Sequence, residues 1–128
     1  MRYLLDTHTL VWWLINDIRL SSPARVTLAD GDNEAYVSAV SAFEMATKHR
    51  LGKWPEAGPV CDNFNNLVIN ERFTFLPVET SHALHAGRLI ADHKDPFDRL
   101  LAAQSILEGL VLLSADEAFD SFGVRRLW

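Results

Sequence analysis

Three short, almost wholly apolar runs, each followed by a carboxylate, constrain this chain more than any other feature. Tyr3-Leu4-Leu5 runs directly into Asp6, Ala35-Tyr36-Val37 precedes Glu44, and Val111-Leu112-Leu113-Ser114 precedes Asp116. A fourth acidic point, Asp95 with Asp98, opens the amphipathic stretch that continues through Arg99, Leu100, Leu101, Ala102, Ala103 and Gln104. Runs this short and this apolar read as strands buried on both faces, the pattern of a parallel sheet covered by helices. Carboxylates next to such strands are costly unless something neutralises them. Acids that repeatedly follow strand ends therefore suggest a shared cation site.

Between the runs the periodicity turns helical. The spacing predicts a strand over Arg2 to Leu5 and a helix over Thr7 to Asn16, with Leu10, Val11, Leu14 and Ile15 on one side. Ser21-Ser22-Pro23 is a helix start, with a serine cap and a proline in the first turn, for a helix reaching about Gly31. A strand over Glu34 to Ser38 follows. Ser41 and Glu44 form a capping-box pattern for a helix ending at Gly52. Trp54 to Pro59 reads as a loop, Val60 to Asn70 as a helix and Phe73 to Leu76 as a strand. Glu79 to Asp92 reads as a helix with Ala83, Leu84, Ala86, Gly87 and Ile90 inward. A loop at His93 to Pro96 leads into a helix ending near Glu108, then strands at Leu110 to Leu113 and Val124 to Leu127. Strands alternating with helices imply an α/β fold with a short, mostly parallel sheet flanked by helices in three layers. Ligand sites of such sheets lie at the carboxyl ends of the strands, where Asp6 and Asp116 fall and which Glu44 and Asp98 can reach from helix starts.

The chain has 128 residues, enough for one domain over 1–128, and its formal net charge of -5 argues against a broadly basic nucleic-acid clamp. A local metal site with a few cations around it is compatible with that charge. Cys61 is the only cysteine, so no internal disulfide forms and a reducing cytoplasm is expected. Asp6 ends the first apolar run too early for a signal peptide, and no stretch approaches the roughly 18 to 20 apolar residues of a membrane span.

Converging carboxylates without cysteine or paired histidine ligands suit a hard cation, Mg²⁺ or Mn²⁺, which leaves positions open for a phosphate oxygen. One or two such ions support phosphodiester hydrolysis. No Walker loop, dinucleotide fingerprint or nucleophile elbow is present. Each acid also has a plain structural account. Asp6 can cap a helix for about 1 kcal/mol, Glu44 can close a capping box, Asp98 can favour a helix dipole or pair with Arg99 or Arg88, and Asp116 can serve a turn. Those accounts do not explain why all four fall at one sheet edge. Trp12 and Trp13 are adjacent and face different ways, so one is expected in the core and the other at a partner contact. Lys48, His49, Arg50 and Lys53 form either a solvated face or a phosphate-tracking surface. His82 and His85 read as surface or interface residues.

In order along the chain, Leu4-Leu5-Asp6-Thr7-His8, Ser38-Ala39-Val40-Ser41-Ala42-Phe43-Glu44, Asp95-Pro96-Phe97-Asp98-Arg99 through Gln104, and Leu113-Ser114-Ala115-Asp116 resemble the PIN-domain ribonucleases, and more narrowly the VapC-type toxins of toxin–antitoxin pairs. The resemblance implies a PIN-like fold and a metal-holding, catalytic quartet of Asp6, Glu44, Asp98 and Asp116. Asp98 matches the third acid because it stands four before Ala102, leaving Asp95 as a neighbour holding waters or Arg99. Thr7 and Ser114 would bond the acids or the scissile phosphate. It further implies cleavage of tRNA, rRNA or mRNA, a cognate antitoxin, a homodimer, and promoter DNA bound only through the antitoxin complex. Trp12, Trp13 and the helix around Asn63 to Leu67 are the candidate partner surfaces. Two other classes compete: a PIN-like module that binds RNA or protein without catalysis, and a phosphatase of the haloacid-dehalogenase type. The latter wants a second aspartate two positions after the first, where this chain has His8.

Overall fold

Alternate residues of the central strands point to opposite faces, and both faces are apolar. The computed structural model describes residues 1–128. Strand β1 (Arg2–Leu5) places Tyr3 and Leu5 in one core and Leu4 in the other. Strand β4 (Val111–Leu113) divides in the same way, with Leu112 opposed to Val111 and Leu113. This period of two, buried on both sides, is what a covered parallel sheet demands. With β2 (Glu34–Ser38), β3 (Thr74–Leu76) and β5 (Arg126–Leu127) the sheet has five strands, all parallel, in the order β3-β2-β1-β4-β5. The chain winds outward from β1 through β2 to β3 and then returns to the other side of β1 with β4. The carboxyl ends of β1 and β4 are thus adjacent at the switch point.

The first core joins the sheet to helices α1 (Thr7–Leu14), α3 (Ala39–Arg50), α4 (Gly58–Asp62) and α5 (Phe64–Asn70) through Leu10, Val11, Met45, Val60 and Val68. The second joins it to α7 (Pro96–Glu108) and a 3-10 segment, Glu117–Phe122, through Leu101, Ala102, Phe119 and Phe122. Helix α2 (Ser22–Ala29) begins as its serine and proline predict, with Ser21 Oγ accepting from the Ala24 amide. Helix α6 (Thr80–Arg88) packs on α7. Gly109 ends α7 at φ 66°, a left-handed conformation that glycine adopts without strain.

Four local expectations are corrected. Helix α3 starts at Ala39 rather than Ser41, because β2 runs straight into it and Ser38 Oγ caps the Val40 amide at 3.0 Å. The Ser41–Glu44 capping box therefore does not form. The helix expected over Val60 to Asn70 is broken at Asn63 (φ −124°, ψ 22°), whose side chain bonds the Pro59 carbonyl instead of supporting the helix. Helix α6 stops at Arg88 because Arg99 of α7 takes the carbonyls of Ala86, Leu89, Ala91 and His93, which draws the segment into a loop. Its inward face is His82 and Ala86, whereas Ala83, Leu84, Gly87 and Ile90 are exposed. His82 is thus a core residue, not a surface one: its ring accepts from the Glu79 amide and pairs with Glu108 at 2.8 Å.

Gln104 ties the helical layer to the sheet. Its buried amide meets Ser38 Oγ at 2.5 Å and donates to the Pro77 carbonyl at 3.1 Å. Gln104→Leu leaves the buried Ser38 hydroxyl without its acceptor, while the exposed Pro77 can turn to water, and is expected to cost about 1–3 kcal/mol in chemical denaturation.

Candidate metal and active site

Asp6 occupies the step from β1 to α1, so the turn that ends the strand also fixes the carboxylate. Its Oδ1 caps α1 by accepting from the Thr7 amide at 2.7 Å, and its Oδ2 accepts from Ser114 Oγ at 2.7 Å. Cap and site role coexist because Ser114, beyond the end of β4, reaches across the switch point. Ser114 Oγ in turn accepts from the Asp116 amide at 3.0 Å, so one hydroxyl links the β1 and β4 termini. Thr7 contributes its amide to Asp6, while its hydroxyl pairs with Ser41 at 3.0 Å and clamps α1 to α3.

The early start of α3 decides the fate of Glu44. Deep in the helix rather than in its first turn, it has no capping duty and is 2% exposed. Its Oε2 accepts from Lys48 Nζ, one helical turn on, at 2.5 Å, while Oε1 is buried with no hydrogen-bond partner. Asp98, in the first turn of α7, is also buried and meets His93 Nε2 at 2.7 Å. Carboxylate oxygens of Asp6, Glu44 and Asp98 all lie within 4.8 Å of one another. Asp95 is not part of this group. Its side chain caps α7, accepting from the Phe97 and Asp98 amides at 2.8 and 3.1 Å. It does not hold Arg99, which serves the preceding loop instead. Asp98 likewise pairs with neither Arg99 nor Arg88. Asp116 sits at the rim, exposed, capping the 3-10 segment through the Ala118 amide at 2.9 Å. It lies outside the three-acid group but lines the same cleft, of about 520 Å³.

Electrostatics follow from burial. Desolvation, reinforced by the charges of Asp98 and Glu44, pushes Asp6 up to about 7 despite the opposing bonds from Ser114 and Thr7. Desolvation, with Asp95 and Glu44, pushes Asp98 up to about 6 against the pull of His93. Burial works to lower Lys48, but its bond to Glu44 and the surrounding acids leave it raised, a firm cation. His8 is held below its ordinary value by burial and by Lys48.

The donors fit a hard divalent cation. They are all carboxylate oxygens, two carry raised pKa values that a cation would relieve, and Glu44 Oε1 has no other partner. Ser114→Ala removes a hydrogen bond that favours ionised Asp6. It is expected to weaken Mn²⁺ affinity about 10-fold in a calorimetric titration.

His8, Trp12, Arg19 and His93 line the cleft but were not singled out from sequence as part of the site. His93 touches Asp98, and His8 stacks on buried Trp54 with ring centroids 4.3 Å apart. The only signal was proximity along the chain: His8 is two residues after Asp6 and His93 five before Asp98. Of the basic cluster, Lys48 alone lines the cleft, and His49, Arg50 and Lys53 are exposed. Trp12 and Trp13 are both half-buried. Trp13 Nε1 donates to Glu71 at 3.1 Å, whereas Trp12 faces the cleft.

Comparison with known proteins agrees with this geometry. The chain is 32% identical over 119 residues to ribonuclease VapC22 of Mycobacterium tuberculosis, covering 92% of this chain and 89% of the relative. Its fold is similar to a chain in the crystal structure of VapBC2 from Rickettsia felis bound to a promoter DNA fragment, with TM-score 0.70, 14% identity, and 99% and 98% of the two chains covered. It is also similar to one in FitAcB from Neisseria gonorrhoeae, with TM-score 0.68, 16% identity, and 100% and 97% covered. A third likeness is VapBC-1 of nontypeable Haemophilus influenzae, with TM-score 0.66, 16% identity, and 99% and 97% covered. Residues 3–124 match the PIN domain, so a parallel sheet that gathers three acids at its switch point is here the scaffold of a chain that belongs to the PIN-domain family.

Proposed function

We propose that this chain is a metal-dependent endoribonuclease toxin of the VapC type, a single PIN-like nuclease domain over residues 1–128. The observation that carries it is the convergence of Asp6, Glu44 and Asp98 from three separate elements, with an unpartnered Glu44 oxygen among them. These three acids, with Asp116 at the rim as the fourth, would hold Mg²⁺ or Mn²⁺. Such an ion, when bound, lowers the pKa of a water and neutralises the phosphodiester. The chain's own residues do the rest. Ser114 and the Thr7 amide orient Asp6, His93 orients Asp98, and Lys48 fixes Glu44 while lending the cleft a positive charge. An open cleft at a sheet edge suits single-stranded or loop RNA, whose splayed bases can be reached, better than duplex.

The VapC22 ribonuclease and the toxin–antitoxin complexes among the structural relatives support a cognate antitoxin as partner. Its arginine side chains would complement the acidic cleft. The complex would contact promoter DNA through the antitoxin, and the toxin would work as a homodimer in the cytoplasm. The exposed apolar side chains of Phe43, Ile69 and Phe75, and the groove of about 420 Å³ between α3, α5 and β3, offer partners surface to bury. No helix is long and apolar enough to cross a membrane.

Incubation of the purified protein with total RNA tests the activity. Cleavage is expected with Mg²⁺ or Mn²⁺ and not with excess chelator; metal-independent cleavage, or none with either ion, refutes it. Asp95→Ala separates the two acids of α7. It should cost about 1 kcal/mol of stability, as a lost cap, and impair cleavage far less than Asp98→Asn does.

A further inference from the structure

One wall of the cleft is made of stacked planes rather than acids. Arg19 Cζ lies 5.0 Å from the centre of the Trp12 ring. Trp12 tilts against His8 at 5.7 Å, and His8 stacks on Trp54 at 4.3 Å with 24° between the planes. Arg19, Trp12 and His8 line the cleft together with the acids. The guanidinium is not a loose surface group. Arg19 Nε donates to Asp17 Oδ1 at 3.0 Å and Nη2 to Asp17 Oδ2 at 2.8 Å, while the Arg19 amide also donates to Oδ1 at 2.9 Å. Its side chain nevertheless remains 55% exposed.

This arrangement fixes the Arg19 plane and makes it a platform. One edge of the guanidinium, Nε and Nη2, and much of its charge are committed to Asp17. The group also offers a flat, weakly hydrated face, backed by an indole.

We propose that Arg19, clamped by Asp17 and backed by Trp12, is a nucleobase shelf: a base adjacent to the phosphate held at the acidic centre stacks on its guanidinium. Stacking on arginine and aromatic planes is tolerant of base identity, so the shelf contributes affinity and register more than sequence choice. The inference rests on the nuclease proposal for what occupies the acidic centre, but the stacking itself is measurable without cleavage.

The probes are the four nucleoside 5′-monophosphates and ribose 5-phosphate, titrated against the full chain in Mn²⁺ by calorimetry, with the Arg19 side-chain protons followed by NMR in Mg²⁺. The nucleotides are expected to bind about 10-fold tighter than the base-free sugar phosphate, with the ring current of the stacked base shifting the Arg19 side-chain protons upfield. Arg19→Lys keeps the charge but not the plane. It should abolish the difference between nucleotide and sugar phosphate while leaving sugar phosphate binding in place. Nucleotides that bind no tighter than ribose 5-phosphate, or a difference that survives in Arg19→Lys, overturn the shelf. Metal-dependent RNA cleavage without a base increment removes the shelf alone; a base increment without cleavage keeps the shelf and removes the nuclease.

Discussion

Asp6→Asn is expected to lower metal-dependent RNA cleavage by on the order of 10²–10³-fold without unfolding the protein. Asparagine keeps the shape and retains an oxygen for the Thr7 amide, while Ser114 Oγ can turn to accept from the new amide group. What is lost is one negative charge from a site where three acids lie within 4.8 Å. A divalent ion is held there by charge in a water-poor setting, so the loss falls on metal affinity first and on rate through it. The measurement is cleavage of RNA across a Mg²⁺ titration, with circular dichroism as the control for folding. Wild-type rates in the folded variant at moderate Mg²⁺ would remove Asp6 from the site and, with it, the mechanism.

The second large effect concerns stability without metal. Asp6 is raised to about 7 and Asp98 to about 6 in the folded chain, against an ordinary value of 3.8. Between those values the folded state binds more protons than the unfolded one, so stability falls as pH rises from about 4 to 8. For Asp6 alone the full shift corresponds to at most about 4 kcal/mol, a Tm decrease of up to roughly 15 °C for a chain of this size. Thermal melts in chelator should therefore fall steadily from pH 5 to pH 8. Saturating Mn²⁺ should restore the loss at pH 8 and do little at pH 5, where the acids are protonated and bind metal weakly. Asp6→Asn should flatten the pH dependence and exceed wild type in Tm at pH 8 in chelator. A melting temperature that is level or rises over this window would show that the acids do not repel one another in the fold.

The fold was legible wherever one periodicity dominated. Tyr3-Leu4-Leu5 and Val111-Leu112-Leu113 are too apolar and too short for anything but doubly covered strands, and they are such strands. Boundaries were less legible where a distant side chain competes for the backbone. Nothing near Leu89 announces that Arg99 will claim its carbonyl and those of Ala86 and His93. Nothing near Ser41 announces that Ser38, a strand residue, will also cap the helix. His82 looked like a surface residue because its partners, Glu108 and Gln104, come from the neighbouring helix.

The sequence by itself determined the topology class and, with the family resemblance, named four acids as candidates. The class follows from short-range pattern: alternating apolar runs demand helices on both faces, and a carboxylate after a buried strand demands compensation. Only the tertiary structure decided how the acids divide. Asp6, Glu44 and Asp98 converge, Asp116 stays at the rim, and Asp95 spends its oxygens on a helix cap. Only the tertiary structure set His93 against Asp98 and Arg19 against Trp12 beside the same cleft. Distances of a few ångströms between elements far apart in sequence depend on how layers seat on the sheet, and that is settled by packing of the whole core rather than by any local run of residues.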